Sequence, residues 1–410
     1  VRDVLRNLDR ARDSYRRYGA LSQFSLSATT GAGKTVMAAA VIESLFFGND
    51  EFDVAGDSGA VVLWFSDDPA LNEQSRARIQ AAASELDHRL RVVPTTFSEP
   101  TFRPGNVYFL NTQKLSKNSR LVKGAPEVNG DDALPGLEPR PDEVQSSIYD
   151  TITNTIANED LTLYLVLDEA HRGMGTRARE RSTIVQRLIN GQGSVPAMPV
   201  VFGISATVER FETAMKEAKG RDALPSVQVD SAMVQASGLL KDDIALSIPA
   251  EDGAFETVLL TKAVEKIRAS ESAWQHYARE QGEAEAVRPL LVVQVGDKPS
   301  QETLTRTLDT IYEAWPELPY DAVANVFGEH TDLTVGQQVV PYIEPQRVQD
   351  ATHVWVLLAK SAISTGWDCP RAEVLVSFRP AKDRTHITQL LGRMTVSYTH
   401  LRAHETGRNL

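Results

Sequence analysis

The stretch SATTGAGKT at 27–35 sets two glycines, a lysine and a threonine between an apolar run and a helical pattern. Gly31 and Gly33 allow the backbone to curl so that its N–H groups face an anion. A helix that opens near Lys34 adds the positive end of its dipole. The segment Thr30, Gly31, Ala32, Gly33 would then wrap a phosphate chain. Lys34 would reach the β- and γ-phosphates of a nucleotide, and Thr35 would hold Mg²⁺. Ala28 stands where the usual G-x-x-x-x-G-K-[ST] spacing has its first glycine.

A second stretch, LYLVLDEAHRGMG at 163–175 with Thr162 ahead of it, ends an apolar strand in two acids. Acids at the C-terminal end of a strand sit at the ligand edge of an open α/β sheet. Asp168 would bind Mg²⁺, and Glu169 would orient and deprotonate an attacking water. His171 is either a residue that senses the γ-phosphate or a surface histidine after a strand. In GISATVERF at 203–211, Ser205 and Thr207 either link two sites through their hydroxyls or cap the following helix. Gly366 and Asp368 follow the apolar run VWVLLA. Gln389 and Arg393 are four apart in ITQLLGRM, so a helix would place them on one face. Arg393 taken alone reads as a solvated helix arginine. Delivered from a second domain, it would be a finger that stabilises charge on a transferring phosphoryl group.

These groups need sheets to position them. Apolar runs at 24–28, 60–65, 106–110, 161–168, 198–205, 289–296, 352–359 and 372–378 read as strands. Helical patterns fall between them at 5–18, from Lys34 through Phe47, at 70–84, 256–280 and 301–314, and from about Thr385. Alternation of this kind predicts an α/β chain with parallel sheets. Residues 116–142, rich in Pro, Gly and Asp, read as a surface loop or insertion. The expected organisation is one domain over 1–220, a connection over 221–254, and a second domain over 255–395.

Composition narrows the class. With 410 residues the chain is long enough for two ordinary domains. The net charge of −12 argues against a polycation that coats nucleic acid, though not against a local basic groove. No run reaches 18 apolar residues, so no transmembrane helix is expected. One cysteine, Cys369, excludes an internal disulfide and a Cys-rich metal site. With a charged, helical N-terminus in place of a leader, a cytoplasmic location is expected. The chain starts on Val1, so a natural start is expected further upstream.

The five patterns occur in one order: phosphate loop, DEAH, SAT, STGWDCP, QLLGR. That order resembles superfamily 2 helicases and translocases. TGWDCP with QLLGRM is similar, more narrowly, to the motor (Res) subunit of type III restriction enzymes. The resemblance covers roughly residues 1–394. It implies two tandem RecA-like domains with parallel sheets flanked by helices, the second truncated at its C-terminus, and an ATP- and Mg²⁺-dependent motor acting on nucleic acid. The implied substrate is double-stranded DNA, with a DNA methyltransferase or modification subunit as partner and no membrane. RNA unwinding and a non-hydrolysing ATP-binding scaffold are the alternatives. By the same resemblance Lys34, Thr35, Asp168 and Glu169 serve hydrolysis. His171, Ser205 and Thr207 couple it to movement. Gly366, Asp368, Gln389 and Arg393 come from the second domain. Nucleic-acid contacts would fall near Ser66–Gln74 and Thr112–Lys114, where ordinary loop and helix starts account for the residues equally well.

Two further expectations concern the C-terminal part. No convincing D…E-x-K constellation stands within 1–394, so strand cleavage is not expected of these residues. The tail VSYTHLRAHET with GRNL, residues 396–410, resembles a translated sequencing adapter and puts Val396 where the family motif has a second arginine. It is set aside from fold and function.

Overall fold

Strands with near-continuous apolar character are buried on both faces, and parallel sheets are built from such strands. In the computed structural model the runs read above do this. The structure describes residues 1–29, 31–67, 69–116, 118–123, 146–168, 178–206, 208–215, 218, 220–237, 256–360, 367 and 369–378. Thr30, Glu169, His171, Thr207, Gly366, Asp368, Gln389, Arg393 and the tail at 396–410 lie outside them. The chain separates into two compact units, one holding Val1–Thr29 with Gly33–Ser231, the other holding Thr30–Ala32 and running on from Ala232.

The first unit is an eight-stranded parallel sheet. Its strands are β1 (Leu21–Ser27), β2 (Ala60–Ser66), β3 (Leu90–Val92), β4 (Val107–Asn111), β5 (Thr162–Asp168), β6 (Val200–Ser205), β7 (Arg221–Ala223) and β8 (Val227–Gln228). The order is β3-β4-β2-β5-β6-β1-β7, and β8 also pairs with β1. Parallel neighbours need crossover connections. The helices are α1 (Arg2–Tyr18), α2 (Lys34–Phe47), α3 (Pro69–Ala82), α4 (Arg120–Lys123), α5 (Ile148–Ala157), α6 (Ala178–Asn190) and α7 (Val208–Met215), and α8 (Ser231–Ala236) starts on the last residue of this unit.

Side chains of β2 alternate between two cores, as the twofold period of a strand requires. Ala60, Val62 and Trp64 meet Leu5 and Leu8 of α1, Ile42 of α2 and Ile79 of α3. Val61, Leu63 and Phe65 join Ile152 of α5, Leu188 of α6 and Phe211 of α7. Helices therefore cover both faces. At the N-terminal edge, Asp57 is buried and fastens α1 to the sheet. It accepts from Arg16 Nη2 at 2.8 and 3.1 Å, from the Tyr164 hydroxyl at 3.1 Å and from Gly59 N at 3.0 Å. Arg16 Nε also donates to Thr162 Oγ1 at 3.0 Å.

Residues 221–228, read from the sequence as the start of a connection, instead add two short strands beside β1. Strands of three and two residues are too short to show a period. Arg221 helps to hold them. Its guanidinium donates to the carbonyls of Ser22 (2.9 Å), Ile189 (3.1 Å) and Pro199 (3.3 Å), and burial pulls its pKa down to about 10.

In the second unit, β9 (Leu290–Gln294), β10 (Val323–Asn325), β13 (Val356–Ala359) and β14 (Ala372–Ser377) make a parallel sheet ordered β10-β13-β9-β14. A hairpin of β11 (Leu333–Val335) and β12 (Gln338–Val340) stands apart from it. Helices α9 (Glu256–Gln281) and α10 (Gln301–Ala314) cover one face, around Val293, Leu304, Ile311 and Leu358. Ser300 caps α10 by accepting from Thr303 N at 3.1 Å. The run 352–359 is strand only from Val356. The three residues before Trp355 belong to a turn whose Ala351 and Val354 carbonyls accept from the buried Arg371 guanidinium, each at 2.9 Å. Among the described residues no helix is long and apolar enough to cross a membrane.

Candidate active site

Three adjacent strands, β1, β6 and β5, end together at the C-terminal edge of the first sheet. Ser27 lies opposite Ser205, and Asp168 lies opposite Ile204. Neighbouring strands are about 4.8 Å apart, so Asp168 stands roughly 10 Å along the edge from the end of β1. A ligand that spans about 10 Å of this edge would meet both the loop after β1 and the carboxylate at the end of β5.

The two glycines of the loop after β1 take backbone conformations that favour glycine. Gly31 (φ 88°) and Gly33 (φ 74°) are both left-handed, a region that side chains resist. Gly33 is the N-cap of α2 and offers no side-chain cap, while its carbonyl accepts the first helical bond from Met37 N at 2.9 Å. The first-turn amides of α2 have no intrahelical acceptor by geometry, which suits an anion. Lys34 Nζ donates to the carbonyls of Ala28 (2.9 Å) and Thr29 (3.1 Å), so the ammonium is held across the loop. Two buried hydroxyl oxygens of this stretch, Ser27 Oγ and Thr29 Oγ1, have no hydrogen-bond partner among the described residues. A loop with paired glycines, an open helix start, a lysine across its mouth and orphaned hydroxyls fits a nucleotide phosphate chain.

A cation fits the same edge. Thr35 is the second residue of α2, and Asp168 lies at the last position of β5. Among the described residues no three His, Cys, Asp or Glu side chains gather into a metal site. An ion held by Thr35 and Asp168 would take its remaining ligands from phosphate and water, as Mg²⁺ characteristically does.

Ser205 is buried at the end of β6, and its carbonyl accepts from Ala28 N at 3.3 Å, joining the SAT segment to the start of the phosphate loop. Gly203, two residues earlier, lies under the ring of Phe211 from α7.

The four expected nucleic-acid contacts are placed as follows. Ser66 is buried and donates to Asn72 Oδ1 at 2.7 Å. Thr112 is buried and donates to the Asp67 carbonyl (2.8 Å) and carboxylate (2.9 Å), tying the end of β4 to the end of β2. Lys114 Nζ donates to the Val93 carbonyl. Burial lowers the Lys114 pKa from its ordinary value, against an opposing pull from Glu73. Gln74 is half-buried on α3.

One residue at this edge went unread in the sequence. Ser75, on α3 and buried, donates from Oγ to Asp168 Oδ2 at 2.9 Å. The available signal was its position three residues after Asn72 and four after Leu71, on the inward face of α3.

Comparison with known proteins follows from this geometry. Residues 3–210, just over half of the chain, match the family described as type III restriction enzyme, res subunit. Curated protein sequences gave no match. Among solved structures, the DUF1998 helicase MrfA bound to DNA is similar at 14% identity and a TM-score of 0.54, over 94% of this chain and 46% of that one. S. cerevisiae Dbp5 bound to RNA and ADP BeF3 is similar at 13% identity and a TM-score of 0.45, over 94% of this chain and 79% of that one. A putative HsdR subunit of a type I restriction enzyme from Vibrio vulnificus YJ016 is similar at 14% identity and a TM-score of 0.43, over 96% and 60%. The chain spans less than half the length of the MrfA chain. The expected fold class, RecA-like α/β units with helices on parallel sheets, is the one observed. With the phosphate loop, the strand-end acid and the SAT segment all inside the matched span, the chain belongs to the family of type III restriction enzyme res subunits.

Proposed function

We propose that this chain is an ATP-hydrolysing motor that moves on nucleic acid, namely double-stranded DNA, in a type III restriction-like system with a modification subunit. One observation carries the reading: Lys34 spans the phosphate loop at the sheet edge where Asp168 ends β5 two strands away. Lys34 and the first-turn amides of α2 would hold the phosphates of ATP. Thr35 and Asp168 would hold Mg²⁺, which would neutralise charge that develops on the transferring phosphoryl group. Glu169 would take the proton of the attacking water. Ser205, Thr207 and His171 would relay the state of that site. Gly366, Asp368, Gln389 and Arg393 would complete it from the second unit. Ser66 and Thr112 would touch the strand only through backbone or after rearrangement, because both are buried and their hydroxyls donate to protein acceptors, whereas Gln74 and Lys114, an ammonium with three donors, would reach it with their side chains.

The test is ATPase activity with duplex DNA, single-stranded DNA and RNA supplied in turn. Stimulation by duplex DNA that Lys34→Ala abolishes is the expected result. Equal or greater stimulation by RNA would favour the RNA-remodelling alternative. Nucleotide binding without turnover under every condition would favour a scaffold.

A further inference from the structure

The contact between Ser75 and Asp168 has no role in the proposal above. Ser75 is 6% exposed, and its hydroxyl donates to Asp168 Oδ2 at 2.9 Å. A buried serine can satisfy its hydroxyl on the carbonyl four residues back, as Ser44 does on Ala40 at 2.8 Å within α2. Ser75 leaves its own helix for a carboxylate 93 positions away. That bond also fixes a degree of freedom. The terminal torsion of an aspartate is broad, so an unsupported carboxylate swings. A donor on one oxygen sets the plane of the group and hence the direction of its other lone pairs.

Ser75 is itself held. One turn earlier, Asn72 is buried, 2% exposed, and accepts from Ser66 at the end of β2, the strand beside β5. Leu71 and Ile79 are buried on the same helix, and Ile79 packs into the core with Ile42 of α2. So α3 is stitched to the ends of β2 and β5 and leans on the helix that opens the phosphate loop.

We propose that Ser75 is the positioning residue for the Asp168 carboxylate, orienting it toward a divalent cation at the sheet edge. This rests on the nucleotide-site reading given above. Hydrogen bonds behind a metal ligand typically contribute tenfold to a hundredfold in affinity.

The experiment is a Mg²⁺ titration of the full chain with a fluorescent ADP analogue, read as binding and so independent of turnover. Ser75→Ala should raise the Mg²⁺ midpoint about tenfold or more, with binding restored at saturating Mg²⁺. Ser75→Thr, which keeps the hydroxyl, should return the midpoint to within about threefold of the unaltered chain. Ser44→Ala, a buried serine whose bond stays inside α2, should leave the midpoint unmoved and controls for lost packing. If the unaltered chain shows Mg²⁺-dependent binding and Ser75→Ala matches it within about twofold, this inference is overturned and the nucleotide site stands. If binding ignores Mg²⁺ and survives Lys34→Ala, the nucleotide site itself falls and takes the inference with it.

Discussion

Gly203→Ala tests whether the packing behind the SAT segment is as tight as it looks. A Cβ built on Gly203 would stand 2.0 Å from Phe211 Cδ2 and 2.4 Å from Cε2. Carbon atoms in contact want about 3.5–4.0 Å, so the ring or α7 must retreat by more than 1 Å. Two relaxations compete. Shifting the packed helix costs roughly 1–3 kcal/mol, the usual range for overpacking. Expelling the ring, now 7% exposed, costs about 1.5–3 kcal/mol in lost burial. The cheaper route sets the price. Alanine returns about 0.5–1 kcal/mol of backbone entropy, because Gly203 is not among the left-handed glycines. The net is a loss of about 1–2 kcal/mol. Hydrogen exchange at β6 and β1 reads the first unit alone, and urea unfolding reads the chain. The decisive measurement is the same substitution in a Phe211→Leu background. There the methyl meets a smaller side chain, and its cost should shrink by at least about 1 kcal/mol, a coupling that separate sites do not show. Equal cost in both backgrounds would refute the steric account.

Two other outcomes follow from the N-terminal edge of the same sheet. Asp57→Asn sets an amide where four donor contacts converge and leaves at least one of them unmet; it should cost about 2–3 kcal/mol by urea unfolding, discounted from the range for a fully buried pair because the Arg16 side chain is 38% exposed. Burial, and then the neighbouring Asp57 carboxylate, hold the Tyr164 phenol well above its ordinary value of 10. The folded chain therefore keeps a proton that the unfolded chain gives up near pH 10. That stability is whole below about pH 10 and is lost as pH rises toward the folded phenol's own pKa, by about 1.4 kcal/mol per pH unit. Tyr164→Phe should flatten that part of the slope in urea midpoints taken between about pH 9.5 and 11.5; an unchanged slope would sink the assignment.

Long apolar elements announced themselves. The helical patterns at 34–47 and 301–314 coincide with α2 and α10, because glycine or a serine cap precedes each and their apolar faces repeat at helical spacing. The strands at 60–65 and 161–168 coincide with β2 and β5 to within a residue because both faces are buried and nothing polar interrupts them. The phosphate loop was legible for a different reason: its conformation requires glycine at two positions and a lysine at a third. What stayed hidden was short or tertiary. β7, β8 and β10 are two or three residues long. The strand at 352–359 lost its first half to Arg371, whose acceptors lie about twenty residues back in the chain and carry no sequence signature.

Polar residues at the ends of parallel strands pose the harder case. Ser66, Thr112 and Ser75 are all small hydroxyls near the C-terminal edge of one sheet, where ligands also gather. The family resemblance offers the first two to an outside partner, with ordinary loop and helix starts as the equal alternative, and passes over the third. Burial and geometry distribute them differently: Ser66 anchors Asn72, Thr112 joins β4 to β2, and Ser75 reaches the one described acid at the candidate cation position. A hydroxyl at such an edge can close the sheet, face the ligand, or aim the group that faces it. These roles share one composition and differ only in which acceptor lies within about 3 Å. In this chain the sheet edge is built in layers. Lys34 spans the loop after β1 and Asp168 ends β5, while Ser66, Thr112 and Ser75 tie the ends of β2, β4 and β5 to one another and to helix α3.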